Sequence, residues 1–183
     1  MTGFQQAMVA TALALLLLFW IVGAYNRLVR LRSGVKTAFA QIYVLLVRRY
    51  ELIPELVEVA RAGMPHESGA LDAVMKARNS AVNAADRAAA DPADAAIVRT
   101  LAGAEATLAS TLAGLIALAD TCLALRAQPD FLHLSEQLID SDKRITFARQ
   151  DYNLQVTDYN AALAQFPGSI IANMFALRDG EQL

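Results

Sequence analysis

From residue 28 onward, apolar residues recur at steps of three and four, which places them on one face of an α-helix. The first stripe consists of Leu28, Leu31, Val35, Ala38, Ile42, Leu45, Leu52, Leu56 and Val59. It predicts a helix of about 35 residues. Pro54 lies inside this helix and should kink it, because proline removes one backbone hydrogen bond. The sequence Gly63-Met64-Pro65 should end it.

Three more amphipathic helices are predicted, separated by breaks that contain proline. The second covers roughly His66 to Ala90, and the third runs from an N-cap at Asp94 to about Ala127. The fourth follows Gln128-Pro129-Asp130 and runs to about Gln165. Because the connections are short, neighbouring helices should be antiparallel. The pattern predicts an all-α, antiparallel four-helix bundle with long helices that pack like a coiled coil.

The N-terminal segment has the length and composition of a membrane anchor. Ala7 to Ala24 is interrupted only by Thr11 and Gly23, and no charged residue precedes Arg27. As a helix, Phe4 to Tyr25 spans about 33 Å, close to the roughly 30 Å of a hydrocarbon core. We therefore predict a transmembrane helix over residues 1–25 that continues into the bundle. Its main apolar residues are Phe4, Leu13, Leu16, Leu17, Phe19, Trp20 and Ile21.

A cleaved signal peptide ending near Val22-Gly23-Ala24 is the alternative interpretation. It would need a positive N-terminal region and a shorter apolar core, and the sequence provides neither. Trp20 and Tyr25 lie toward the basic end of the segment, where amphipathic rings favour the membrane interface. These features favour a retained, single-pass anchor.

Basic residues cluster directly after the apolar segment. The net charge is −2, but residues 1–50 contain basic residues and no acidic ones. The juxtamembrane basic cluster, where side chains can meet anionic head groups, consists of Arg27, Arg30, Arg32 and Lys36. Because basic residues mark the cytoplasmic side of a membrane helix, we expect a bacterial inner-membrane protein with a cytoplasmic bundle.

Four alternating helices return the C-terminal tail to the membrane side. We divide the chain into the anchor, a bundle over residues 26–166 and a tail over residues 167–183. Ser169 to Leu177 is mostly apolar. It should either cap the bundle or enter the bilayer interface, and both alternatives stay open.

The sequence contains no recognisable catalytic, metal or cofactor motif. His66 and His133 are far apart, and Cys122 is the single cysteine, so no zinc-ligand spacing occurs. No nucleophile elbow, P-loop or dinucleotide fingerprint is present. The basic cluster lies next to the predicted membrane span and the rest of the chain is acidic, which argues against nucleic-acid binding. We expect a protein that is not an enzyme and needs no cofactor.

Two arginines interrupt the apolar stripes. Arg49 continues the first stripe, and Arg78 interrupts the second. A charge at a core position costs several kcal/mol unless it is paired. Either a structural ion pair or an anion or partner site would explain them, and Glu105, beside the third stripe, is the expected partner of a buried arginine.

Several of these segments resemble the LemA family. Residues 25–32 resemble the start of the family sequence, residues 41–57 its most characteristic stretch, and residues 77–79 a second conserved segment. Residues 147–153, 159–160 and 166–168 resemble its C-terminal signature, so the resemblance runs from about Gly3 to Leu177. The residues singled out in these segments are Tyr25, Asn26, Arg48, Arg49, Pro54, Arg78, Asn79, Arg149, Tyr152, Asn153, Tyr159, Asn160, Phe166 and Pro167. One departure is Cys122-Leu123, where the family usually has Tyr-Pro.

The resemblance implies a helical, inner-membrane-anchored protein without established enzymatic activity. Relatives are linked to envelope homeostasis, membrane-associated proteases and magnetosome membranes. We expect a structural or interaction protein, a scaffold that forms a homo-oligomer at the membrane surface and contacts the lipid bilayer. The alternatives are an adaptor or regulator of a membrane protease or signalling partner and, less favoured, an uncharacterised hydrolase.

Tyr152 and Tyr159, like Asn153 and Asn160, are seven residues apart and so face the same way on the fourth helix. We predict that these four residues form one polar layer with two arginines, Arg49 and Arg78. This layer should lie where the first, second and fourth helices meet.

Overall fold

The computed structural model of the protein describes residues 3–183, apart from the side chains of Phe4, Gln6 and Ala124. Within this range the chain forms α-helices and no strand. The helices are α1 (Gly3–Gly63), α2 (Ser68–Ala90), α3 (Ala95–Thr121), α4 (Leu123–Arg126), α5 (Pro129–Ala164) and α6 (Gly168–Met174). The predicted all-α fold, with a long apolar N-terminal helix leading into a bundle, is confirmed.

The first helix is continuous over 61 residues. At 1.5 Å per residue it is about 90 Å long, and it continues through Pro54. Its first third is apolar and exposed, whereas the remainder buries one face that begins at Leu28 and includes Val35, Ile42 and Leu56. The predicted continuity between the apolar segment and the first bundle helix is confirmed.

Cross-helix contacts show that neighbouring helices are antiparallel. Arg32 near the start of the bundle pairs with Asp91 at the end of α2, and Arg61 pairs with Asp72 near its beginning. On the other side of α1, Phe39 packs on Tyr152 of α5, with ring centroids 5.8 Å apart. The bundle thus places α2 and α5 on α1, and α3 on α2.

Asp94 caps α3 as predicted, and its side chain accepts hydrogen bonds from the backbone N–H groups of Ala96 and Ile97. The predicted end of α3 near Ala127 is wrong. The helix ends at Thr121 because Cys122 is extended, and the short α4 then places Leu125 in the core. Leu125 packs so closely on Gly63 that a side chain there would overlap it, which explains the glycine at the end of α1.

After α6 the chain runs antiparallel to α5. Ala176, at φ 50°, is in the left-handed region and turns the backbone. Residues 177–183, which we call the strap, then run back along α5. Glu181 in the strap also pairs with Arg99 of α3, with Nη2 and Oε2 2.7 Å apart. The strap therefore lies between α3 and α5 in the half of the bundle nearer the apolar segment.

Candidate functional site

The apolar segment of α1 is uncovered by the rest of the chain. In its most hydrophobic stretch of 18 residues, none is buried. The predicted anchor residues Leu13, Leu16, Leu17, Phe19, Trp20 and Ile21 are all exposed, and the side chain of Phe4 lies outside the described residues. This part of α1 is long and apolar enough to cross a membrane. The helix α3 passes the same test, but it packs on α2 and carries the buried Glu105.

The juxtamembrane basic cluster lies within α1, directly after the apolar segment. Arg27, Arg30 and Lys36 are exposed, whereas Arg32 is half-buried and lies 3.3 Å from a carboxylate oxygen of Asp91. Exposed basic side chains next to an apolar helix can meet anionic lipid head groups. Nearby, Tyr25 and Asn26 are exposed, and the Tyr25 ring lies 4.8 Å from the Phe175 ring that follows α6. This end of the bundle combines aromatic, apolar and basic groups, which is typical of a membrane interface.

In the middle of the bundle, Arg49 of α1 is 6% exposed. Its guanidinium donates to Glu105 of α3 and to the Asp142 carboxylate of α5, the latter at 2.8 Å. The Tyr50 hydroxyl donates to the other oxygen of Glu105 at 2.5 Å, and Arg149 Nη2 lies 3.6 Å from Glu105. We call these five residues the core network. The expected pairing of Glu105 with a buried arginine is confirmed.

Two members of the core network, Arg49 and Tyr50, have raised pKa values. Burial alone would lower the pKa of Arg49, but Glu105 and Asp142 more than offset this and raise it. Burial, and next the negative charge of Glu105, raise the pKa of Tyr50. The guanidinium and the hydroxyl therefore keep their protons at neutral pH. The bonds of Arg49 and Tyr50 thus link α1 to α3 and α5.

A second network joins α5 to the strap. The side-chain amide of Asn160 donates to the Gly180 carbonyl at 2.9 Å and accepts from the Gly180 N–H at 2.8 Å. Asn153 makes the same two bonds with Leu183, both at 2.9 Å. The Tyr152 hydroxyl lies 2.9 Å from the carbonyl oxygen of Pro92 and 3.0 Å from that of Glu181. We call Tyr152, Asn153, Asn160 and their strap partners the strap network.

The spacing of the two asparagines fits an extended chain. Seven residues of α-helix rise about 10.5 Å, and three residues of extended chain cover about 10 Å. Asn153 and Asn160 therefore meet the backbones of Leu183 and Gly180 in register. Each amide imitates the paired hydrogen bonds that a neighbouring β-strand would supply.

The predicted single polar layer is wrong. Arg49 belongs to the core network, the two asparagines belong to the strap network, and Tyr159 is buried without joining either set of bonds. Arg78 is half-buried and touches the core network only through its Nε–H, which donates to the Tyr50 carbonyl at 3.1 Å. The prediction failed because helical periodicity did not reveal that the strap supplies the partners of Asn153, Asn160 and Tyr152, away from Arg49 and Glu105.

The other residues of the resemblance lie at the surface or at helix ends. Arg48 is exposed, and Asn79 accepts a hydrogen bond from Arg78 at 3.2 Å. The exposed Phe166 ring lies 5.1 Å from the Trp20 ring. Pro167 precedes α6. These positions do not converge on one pocket.

In residues 3–183, no group of three or more His, Cys, Asp or Glu side chains is placed to hold a metal ion. The Cys122 thiol is half-buried and donates to the Gly63 carbonyl at 3.6 Å, which ties α1 to the α3–α4 junction. His133 lies 3.0 Å from the Gln137 amide, one helical turn away on exposed α5 surface. These side chains have structural or surface positions in this fold.

No curated protein matches the chain. The sequence model of the LemA family matches residues 38–183, which is most of the chain. The match begins within α1, leaves out the apolar segment and residues 25–32, and includes the whole strap. Both networks lie inside the matched range, and the chain belongs to the LemA family.

Proposed function

We propose that this protein is a non-enzymatic structural module that self-associates along α5 while α1 anchors it in the bacterial inner membrane. The LemA family is not known as an enzyme family. The observation that carries the proposal is an unpartnered apolar stripe on α5. Its members are the exposed side chains of Leu132, Ile139, Phe147 and Leu154.

These four residues follow one another at steps of seven, eight and seven, which keeps them within about 80° of the same helix face. Phe147 is the most prominent, at 76% exposed. It borders a groove of about 750 Å³ between α1 and α5, which is also lined by Leu45 and Ala148. Exposed apolar surface of this kind marks sites of protein association.

A second copy of the chain is the occupant that the stripe fits best. Two copies anchored in one membrane in the same direction are related by an axis along the membrane normal. Their α5 helices then run parallel, so that Phe147 faces Phe147 of the second copy and Leu154 faces Leu154. Apolar residues that meet their own counterparts across a two-fold axis form a self-complementary contact between two copies.

The juxtamembrane basic cluster supports a cytoplasmic bundle. Arg27, Arg30 and Lys36 are exposed at the end of the apolar segment that leads into the bundle, and such residues are retained on the cytoplasmic side. An alkaline phosphatase fused after Leu183 should therefore be inactive in a bacterial host. An active fusion would place the bundle on the opposite side and contradict this orientation.

Disulfide cross-linking in native membranes tests the self-association. Leu154→Cys and Phe147→Cys, each in a Cys122→Ala background, should form homodimers on mild oxidation. Leu123→Cys is the matched control, because Leu123 is 83% exposed on α4 and lies outside the stripe. It should give little product.

Equal cross-linking at all three positions would indicate random collision and contradict the proposal. A stoichiometric product with a different protein at positions 147 and 154 would instead favour the adaptor or regulator of a membrane protease or signalling partner. Adding Phe147→Asp to the Leu154→Cys variant should suppress the homodimer, because it places a charge in the apolar seam.

A further inference from the structure

The helix α6 is docked at the depth of the apolar segment of α1. The Phe166 ring, just before α6, lies 5.1 Å from the Trp20 ring, and the Phe175 ring, just after it, lies 4.8 Å from the Tyr25 ring. Trp20 belongs to the apolar stretch that is long enough to cross a membrane. When α1 spans a bilayer, α6 is therefore held at the edge of the hydrocarbon region.

One face of this region is apolar and exposed. Phe166, Ile170 and Met174 recur every four residues and are 70%, 53% and 70% exposed. Gly168 and Ile171 on the opposite face are buried against the bundle. A side chain at Gly168 would overlap the carbonyl of Ala162, so the glycine permits the close docking that turns the apolar face outward.

The segment that contains α6 has no charged residue, but charged residues flank it on both sides. No charged residue occurs from Tyr159 to Leu177, and the flanking residues are Asp158 and Arg178. Arg178 is exposed, as are Arg27 and Arg30 on α1. An uncharged apolar face bordered by basic residues is the pattern of a helix that lies in the membrane interface.

We propose that α6, together with Phe166, enters the bilayer interface and forms a second membrane contact of this protein. The apolar face of α6 continues the exposed apolar surface of α1, so one lipid surface covers both. Two contacts at one membrane fix the tilt of the bundle, which a single helix would leave free. The inference rests on the anchoring part of the proposed function and is independent of self-association along α5.

Depth-dependent fluorescence quenching in vesicles tests this contact. The full-length protein carries a single NBD label at Ile170→Cys or Met174→Cys in a Cys122→Ala background. The vesicles contain phosphatidylcholine and phosphatidylglycerol with doxyl groups at shallow or deep acyl positions. We expect several-fold quenching at both positions, stronger with the shallow doxyl group than with the deep one. A blue-shifted emission should accompany it.

Labels at two other positions serve as controls. Leu123→Cys, on exposed α4, should be unquenched, and Leu16→Cys, within the apolar segment, should be quenched most by the deep doxyl group. Unquenched labels at 170 and 174 would overturn the proposal, whether their emission is that of water or that of a site covered by protein. An unquenched label at position 16 would overturn the anchor itself, and with it the proposed function.

Discussion

The core network and the strap network close the same gap by different means. The gap lies between α3 and α5, which pack directly on α2 and α1 rather than on each other. Away from the membrane side, long charged side chains reach across it, with Arg49 joining Glu105 to Asp142. On the membrane side, the strap itself occupies the gap and is held by Asn153 and Asn160.

The two networks differ in how strongly the residues within each depend on one another. In the core network, removing Glu105 leaves two arginines, Arg49 and Arg149, with one largely exposed carboxylate, Asp142. A buried charge that has lost most of its compensation is far more costly than a missing neutral hydrogen bond. In the strap network, each asparagine closes its own pair of bonds with one backbone residue. The core network should therefore fail as a unit, whereas the strap network should weaken in steps.

The largest effect is expected from Glu105→Ala. The substitution leaves the Arg49 guanidinium and the Tyr50 hydroxyl without their shared acceptor, so the free energy of unfolding should fall by about 3–5 kcal/mol. Unfolding of the full-length protein in detergent, followed by circular dichroism, measures this change. Glu58→Ala is the control, because Glu58 is exposed and forms a surface ion pair with Arg61, whose Nε lies 3.7 Å from the Glu58 carboxylate.

The free energy of unfolding of the Glu58→Ala control should fall by less than about 0.5 kcal/mol. A double variant sharpens the comparison: Arg49→Met with Glu105→Leu removes both central charges and should be more stable than Glu105→Ala alone. If the double variant were the least stable of the three, the ionic character of the network would be required, and the argument from uncompensated charge would be wrong.

A smaller and local effect is expected from Asn160→Ala. Losing both bonds to Gly180 should weaken strap docking by about 2 kcal/mol, which is roughly a thirtyfold rise in strap opening. Trypsin cleavage after Arg178 reports the opening. Asn173→Ala, at an exposed asparagine of α6, should leave cleavage unchanged.

Adding Asn153→Ala should increase the effect of Asn160→Ala by a similar amount, because the two amides bind different residues. Loss of helicity in the whole bundle after Asn160→Ala alone would contradict the stepwise behaviour. It would make the strap as cooperative as the core network.

The sequence predicts those parts of the fold that rest on periodicity. The apolar stripe from Leu28 onward identified the long first helix, and Asp94 identified the start of α3. Both signals are local, since a helix face and an N-cap are set by residues within one or two turns.

The parts that escaped prediction depend on distant residues. The spacing of Asn153 and Asn160 predicts that they share one face of α5, but their partners are backbone groups of the strap, which has no periodic pattern. Arg49 was identified as a charge at a core position, yet its contact with Asp142 follows only from the packing of α5 on α1. The outward face of α6 likewise results from docking, because a helix of seven residues has too few positions for a clear period.

The smallest effect, and the one that compares the networks directly, is their response to alkaline pH. Burial first, and a nearby carboxylate second, raise the pKa of Tyr50 in the core network and of Tyr152 in the strap network. In the unfolded chain both ionise near pH 10. Each contribution to stability is therefore complete below pH 10 and is lost as the pH rises toward the folded value, by about 1.4 kcal/mol per tyrosine at pH 11.

Tyr50→Phe and Tyr152→Phe should each reduce the loss of unfolding free energy between pH 10 and 11 by about 1 kcal/mol, because part of the loss has already occurred at pH 10. Denaturant titrations at the two pH values measure the loss, and the difference from the parent chain isolates the substituted group. If the unfolding free energy of both variants fell with pH as steeply as that of the parent chain, the burial of these hydroxyls would be contradicted. If only Tyr50→Phe reduced the pH dependence of the unfolding free energy, the strap would leave Tyr152 before the bundle unfolds. Such an outcome would be evidence that the strap opens as a separate unit, since the Tyr152 hydroxyl contacts the Glu181 carbonyl of the strap, whereas the Tyr50 hydroxyl contacts Glu105 of α3.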